Sequence, residues 1–268
     1  MDNRAIGIFD SGLGGLTCVK KVMEIMPNED IIYFGDTGRV PYGTRSKETI
    51  IKYVRQDVKF LESFDIKLII IACGTASSAA LPEIKSEIGT NIIGVLAPTC
   101  KAAISATRNG KIGVIGTAGA IKSGKYAEEI NKVKPDIKVF SRACPLFVPL
   151  VENGYTSGQI AQLAVEEYLE PLKRENIDTL ILGCTHYPLL RDEIGRYMGK
   201  NVTLINSGAE AATEAKCILK NNDSLAAEKK GSAQFFVSDT IDGFAELGSV
   251  FLEKSIKGSV EYIEIEKY

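Results

Sequence analysis

The chain has 268 residues, 45% hydrophobic and 25% charged, with a net charge of -2 at pH 7. That composition fits a soluble globular enzyme with one large or two small domains and excludes wholesale disorder. The weak charge gives no reason to expect nucleic acid or an anionic membrane surface as a partner. Met1-Asp2-Asn3-Arg4 leads straight into an apolar strand, which reads as no signal peptide and no N-terminal regulatory extension. No apolar run reaches the length of a bilayer span, so a cytoplasmic protein is expected, and its six cysteines should be free thiols.

Strand-like runs are predicted at 5–9, 31–35, 67–72, 92–96, 111–115, 137–140, 179–182, 202–205 and 234–237. Helical periodicity fills most of the intervals, at 15–25, 47–63, 98–107, 123–132, 157–174 and 209–220, with a last helix near 240–254. Such alternation predicts an α/β fold with parallel sheets and crossover helices. The polar stretch from Asn221 to Gly231 reads as a solvated helix-to-strand connection.

Two pairs of segments repeat. Ile6-Gly7-Ile8-Phe9-Asp10-Ser11-Gly12 parallels Ile112-Gly113-Val114-Ile115-Gly116-Thr117-Ala118, and the strand ending Ala72-Cys73 parallels the one ending Gly183-Cys184. The offsets, 106 and 111 residues, are close enough for one duplication with a small insertion. Two pseudo-symmetric parallel-sheet domains are therefore expected, with the active site at their interface. Residues 1–97 with 209–268 form the first, and 98–208 the second.

The first strand runs into Asp10-Ser11-Gly12-Leu13-Gly14-Gly15 and a helix. This is neither a dinucleotide fingerprint nor a P-loop. An aspartate and a hydroxyl at a helix start suit a zwitterion, the carboxylate facing an ammonium; a plain N-cap is the competing role for Ser11. In Cys73-Gly74-Thr75 the thiol stands at a helix N-terminus, where the dipole should lower its pKa. The competing reading is a buried strand-end cysteine. In Gly183-Cys184-Thr185-His186 a thiol, a hydroxyl and the chain's one histidine stand together after a strand. Cysteine-dependent hydrolysis would also pair Cys with His, but leaves Cys73 and the duplication unexplained. No C-x-x-C pair occurs, so no metal site is expected. Cys18, Cys100, Cys144 and Cys217 read as small buried hydrophobes.

Taken together, Asp10-Ser11-Gly12, Pro41-Tyr42-Gly43, Cys73-Gly74-Thr75, Glu152 in Phe147-Val148-Pro149-Leu150-Val151-Glu152, and Gly183-Cys184-Thr185-His186 resemble the glutamate racemase family, over nearly the whole chain. The resemblance implies cofactor-independent racemisation of glutamate, supplying D-glutamate for the cell wall, by a protein that is commonly a dimer. It implies that Cys73 acts on D-glutamate and Cys184 on L-glutamate. Asp10 would assist Cys73 and contact the ammonium, His186 would assist Cys184, and Glu152 would join that network. Ser11, Thr75, Thr117 and Thr185, with backbone around Pro41, Tyr42 and Gly43, would hold the two carboxylates.

The chain departs from the family pattern at Gly74, where asparagine is usual, and at Ala120, where threonine is frequent. A backbone amide or a water is expected to take the lost role at Gly74, and the choice between glutamate and a relative rests on such details. A racemase acting on aspartate is the nearest rival. A non-catalytic two-lobed amino-acid binding protein is the rival from another class.

Overall fold

The computed structural model describes residues 1–268 and contains ten strands in two wholly parallel sheets. The first holds β1 (Ala5–Asp10), β2 (Ile31–Gly35), β3 (Ile66–Ile71), β4 (Asn91–Gly94), β9 (Ala233–Val237) and β10 (Val260–Tyr262), in the order β10-β9-β2-β1-β3-β4. The second holds β5 (Lys111–Gly116), β6 (Lys138–Ala143), β7 (Thr179–Leu182) and β8 (Thr203–Asn206), in the order β6-β5-β7-β8. The run β2-β1-β3-β4 has the same connectivity as β6-β5-β7-β8, so the two segment repeats seen in the sequence extend to a repeated four-strand unit. β1 and β5 are the central members, and the cysteines follow β3 and β7.

These strands form for the expected reason. Ile66-Lys67-Leu68-Ile69-Ile70-Ile71 is buried at every position, as a strand covered by helices on both faces must be. The helix Lys47–Glu62 starts at Ser46, whose hydroxyl accepts from the Thr49 amide at 3.2 Å. Asn206 likewise caps Ser207–Asn221 by accepting from the Gly208 and Ala209 amides. That helix leaves β8 and packs on Leu16–Ile25 beside the other sheet, so both halves share it.

Several details differ from the sequence expectation. The strand expected at 92–96 ends at Gly94, and a helix begins at Leu96 because proline at 98 is tolerated in a first turn. The helix expected at 123–132 is Lys125–Val133, and a further short helix, Ala118–Lys122, precedes it, the two divided at Gly124 with φ +67°. β10 is too short, and its Glu261 and Tyr262 too exposed, to carry a periodic signal. Cys217 is exposed rather than buried, since it lies on the outer face of its helix.

The connection 222–232 is more than a solvated loop. Its Ala226 amide donates to Glu29 Oε1 at 2.9 Å, and Lys229 pairs with Asp30. Beside it Lys67 Nζ and Glu29 Oε2 meet at 2.6 Å with side chains 1% and 2% exposed, and Lys67 also donates to the carbonyls of Asp2 and Ser224. This buried pair ties the amino ends of β1, β2 and β3 to the returning tail. Lys67→Met is expected to leave Glu29 charged and unpaired, costing about 3–5 kcal/mol in urea unfolding. A loss below about 1 kcal/mol would mean that the pair does not hold this edge together.

Candidate functional site

The carboxyl ends of the two sheets meet, and the contact is made by residues with little or no side chain. A Cβ on Gly74 would stand 2.5 Å from the Gly183 carbonyl oxygen, and one on Gly119 would stand 2.6 Å from that of Gly43. A Cβ on Gly14 would strike the Thr185 hydroxyl and the His186 ring. Across the seam Thr75 Oγ1 and Thr117 Oγ1 hydrogen-bond at 3.0 Å, and Thr17 donates to the Thr185 carbonyl at 3.0 Å. Each sheet contributes one buried thiol here, Cys73 after β3 and Cys184 after β7.

Cys73 caps the helix Gly74–Ala79: its sulfur accepts from the Ala76 amide at 3.4 Å and its thiol donates to Ser11 Oγ at 3.6 Å. The expected lowering of its pKa is not found. Burial, reinforced by the charge of Asp10, pushes it up to about 12, outweighing the Ala76 amide and the Ser11 hydroxyl. The desolvation of a sulfur anion exceeds what the end of a six-residue helix returns. Asp10 is itself buried. Its Oδ2 accepts from the amides of Gly12 at 3.3 Å and Gly15 at 3.0 Å, and burial raises its pKa while His186 and these amides pull it down.

Cys184 has a different neighbourhood. Its sulfur lies 3.8 Å from His186 Nδ1, and His186 Nε2 is 3.0 Å from Glu152 Oε1. Burial alone would lower the His186 pKa, but the contacts with Cys184 and Glu152 and the charge of Asp10 overcome it and raise it to about 10. His186 is therefore an imidazolium at neutral pH. The Phe251 ring, on the helix Ile241–Leu252, meets it edge-on at 5.9 Å.

The remaining sequence candidates gather around the same seam with two qualifications. Pro41, on a cis peptide bond after Val40, is exposed. The Tyr42 side chain is buried away from the seam, on Asp36 and Asp57, so only the backbone of this strap lies against Thr117. Ser11, Thr75, Thr117 and Thr185 present hydroxyls at the seam, and the Ala120 amide donates to Thr117 Oγ1 at 3.2 Å. Sequence reading missed Thr17, Tyr33, whose hydroxyl holds the Gly12 carbonyl at 2.6 Å, and Phe251. None carries a motif; only the repeated glycine turns signal how tightly these loops must be held.

The sequence pattern of the Asp/Glu/Hydantoin racemase family matches residues 16–215. The chain belongs to that family. It is an isomerase of the racemase class. The racemase is 45% identical to a protein named glutamate racemase from Geobacter metallireducens over 264 residues, covering 98% of this chain and 97% of the other. A glutamate racemase from Streptococcus pneumoniae is 43% identical, covering 99% and 100%. Among solved structures, the glutamate racemase isoform RacE1 from Bacillus anthracis matches with a TM-score of 0.94 at 39% identity over 98% of both chains. The glutamate racemase from Francisella tularensis, solved with D-glutamate, matches at 0.93 and 40% over 100% of both. An aspartate racemase from Picrophilus torridus, at 18% identity and a TM-score of 0.56 over 82% of this chain and 94% of the other, shares the fold.

The charged state of His186 has a consequence for folding. The folded protein keeps a proton on this ring that the unfolded chain releases above about pH 6.5. Stability should therefore be full below that pH and fall as pH rises toward 10. Above about pH 8 the buried thiols of Cys73, Cys18 and Cys100, pushed up to about 12, add to that decline, because the unfolded chain releases protons that the folded chain keeps. His186→Asn is expected to flatten the decline of the urea midpoint between about pH 6.5 and 8, below the range in which unfolded thiols titrate; an unchanged slope there would place the proton elsewhere.

Proposed function

We propose that this racemase interconverts L- and D-glutamate without a cofactor, using Cys73 and Cys184 on opposite faces of the α-carbon. The observation that carries this reading is one buried thiol from each sheet at a single seam, in unlike electrostatic settings. The names of the full-length relatives, and the Francisella tularensis structure with D-glutamate, support glutamate as the substrate.

Racemisation needs a base on one face and an acid on the other. With L-glutamate, the Cys184 sulfur takes the α-proton beside the His186 imidazolium, which stabilises negative charge before the transfer and is itself held by Glu152. Cys73, kept protonated by burial and by Asp10, donates to the opposite face. From D-glutamate the roles reverse. Asp10 faces the substrate ammonium. The two carboxylates, with the charge that develops on the one at the α-carbon, are met by hydroxyls of Ser11, Thr75, Thr117 and Thr185 and by amides of the Tyr42–Gly43 and Gly74 backbone. Such donors are already fixed and largely shielded from water, so they stabilise that charge with little reorganisation.

At the seam Thr75 and Thr117 bond each other. An entering carboxylate must separate them, so we read 1–97 with 209–268 and 98–208 as two lobes that open and close on the substrate. The family resemblance adds that the protein works as a homodimer in the cytoplasm and that its D-glutamate enters peptidoglycan. No helix is long and apolar enough to cross a membrane.

Purified protein should convert L-glutamate, and not L-aspartate, with loss of optical rotation. Cys73→Ser and Cys184→Ser should each lower kcat by about 10²–10⁴-fold with the fold intact by circular dichroism. Equal turnover of aspartate would correct the substrate. Binding of glutamate without turnover in the wild type would favour a binding protein, and activity surviving either substitution would remove that thiol from the reaction.

A further inference from the structure

The half containing the larger sheet buries a polar cluster to which the reaction above assigns no part. Asp36 follows β2, Arg39 lies one turn later, and Asp57 sits on the inner face of the helix Lys47–Glu62. Both carboxylates are fully buried and the Arg39 side chain is 10% exposed. Asp36 Oδ2 accepts from Arg39 Nε at 2.7 Å and from the Tyr42 hydroxyl, while Oδ1 accepts from Ser238 Oγ at 2.8 Å. Asp57 Oδ1 accepts from Arg39 Nη2 at 2.8 Å, and its Oδ2 lies 2.9 Å from Tyr42 Oη. Gln56 Oε1 accepts from Arg39 Nη1, and the guanidinium stacks 4.2 Å above the Tyr53 ring.

Counting protons separates the possible states. Tyr42 carries one hydroxyl proton but lies within hydrogen-bond reach of two carboxyl oxygens. With both aspartates ionised, one oxygen would face a phenol lone pair with no hydrogen between them. One guanidinium would also have to balance two buried anions. A proton on Asp57 resolves both: Asp57 donates to Tyr42, and Tyr42 donates to Asp36. The neighbouring groups act in the same sense. Burial first, then the charges of Asp36 and more distantly Asp10, favour the neutral form of Asp57, against the pull of Arg39 and of the Tyr42 hydrogen bond.

The cluster has a direct line to the seam. Tyr42 precedes Gly43, whose Cβ position lies 3.0 Å from the Thr117 Cβ and whose carbonyl leaves no room for a side chain on Gly119. The buried phenol is thus the anchor of the strap that reaches the other half. We propose that Asp36, Arg39 and Asp57 form a neutral cluster sharing one proton, with Asp57 as a carboxylic acid, and that this cluster positions the Tyr42–Gly43 strap for substrate binding. The positioning role rests on the racemase reading above; the protonation state does not.

The test compares Asp57→Asn, Asp57→Leu and Asp36→Asn with the wild type, following kcat, KM and the urea midpoint. An asparagine at 57 reproduces a neutral acid, accepting from Arg39 and donating to Tyr42. Asp57→Asn should keep KM for glutamate within about threefold, whereas Asp36→Asn and Asp57→Leu should raise it about tenfold or more, with a smaller change in kcat. Equal damage from Asp57→Asn and Asp36→Asn would mean two ionised carboxylates and overturn the cluster. A lowered midpoint in Asp57→Leu with KM unmoved would reduce it to a structural element and overturn the positioning. Should Asp57→Leu not fold, Tyr42→Phe takes its place with the same expectation for KM.

Infrared difference spectra at neutral pH give a readout independent of turnover. A protonated-carboxyl stretch should be present in the wild type and lost in Asp57→Asn; its absence from the wild type overturns the protonation. A wild type that lacks glutamate turnover but shows this band would defeat the racemase reading and the strap's role in it, leaving the shared proton standing.

Discussion

The close approach of two sheet ends governs every other feature of the site. Backbone meets backbone where Gly74 faces the Gly183 carbonyl and Gly119 faces that of Gly43, at separations that leave no space for a Cβ. Parallel sheets deliver loops and helix starts at their carboxyl ends, which is where open α/β folds place ligands. Two such ends pressed together bring Cys73 and Cys184 to one seam and take both out of water. From that burial follow the upward pKa shift of Cys73 and the hydrogen-bonded shell around Asp10. The same geometry bears on the departure at position 74. An asparagine there needs the Gly183 carbonyl to move, so this seam is fitted to glycine.

The two halves are alike in backbone and unlike in charge. β2-β1-β3-β4 and β6-β5-β7-β8 repeat one topology, yet Cys73 stands beside the carboxylate of Asp10 while Cys184 stands beside the cation of His186. Burial and the charge of Asp10 thereby hold one thiol protonated, and the other lies beside a positive ring. The site is asymmetric: Cys73 has the carboxylate of its own half beside it, and Asp10 acts across the seam on His186. Burial sets the direction of the Cys73 shift, and the charge of Asp10 adds to it.

Much of this was legible in the sequence. The repeat of apolar strands ending in cysteine singles out the two thiols, because period and composition mark a buried parallel strand strongly. Nine of the ten strands were expected within a few residues; β10 has three residues and little burial, so it leaves no pattern. Other features depend on distance rather than order. Nothing in Thr37-Gly38-Arg39 signals that Arg39 reaches Asp57, or that the Tyr42 ring turns away from the seam. The rise of the Cys73 pKa is hidden in the sequence, because a helix start is visible there, whereas complete desolvation is a property of the folded pair of sheets.

The central claim is that two different groups handle the proton on the two faces of the α-carbon. The most direct measurement follows L-glutamate in deuterated buffer at low conversion, with mass analysis of both enantiomers. Two thiols acting in turn predict that newly formed D-glutamate carries deuterium at the α-carbon while the recovered L-glutamate remains protiated. Product that retains the original proton would assign both transfers to a single group and contradict the account.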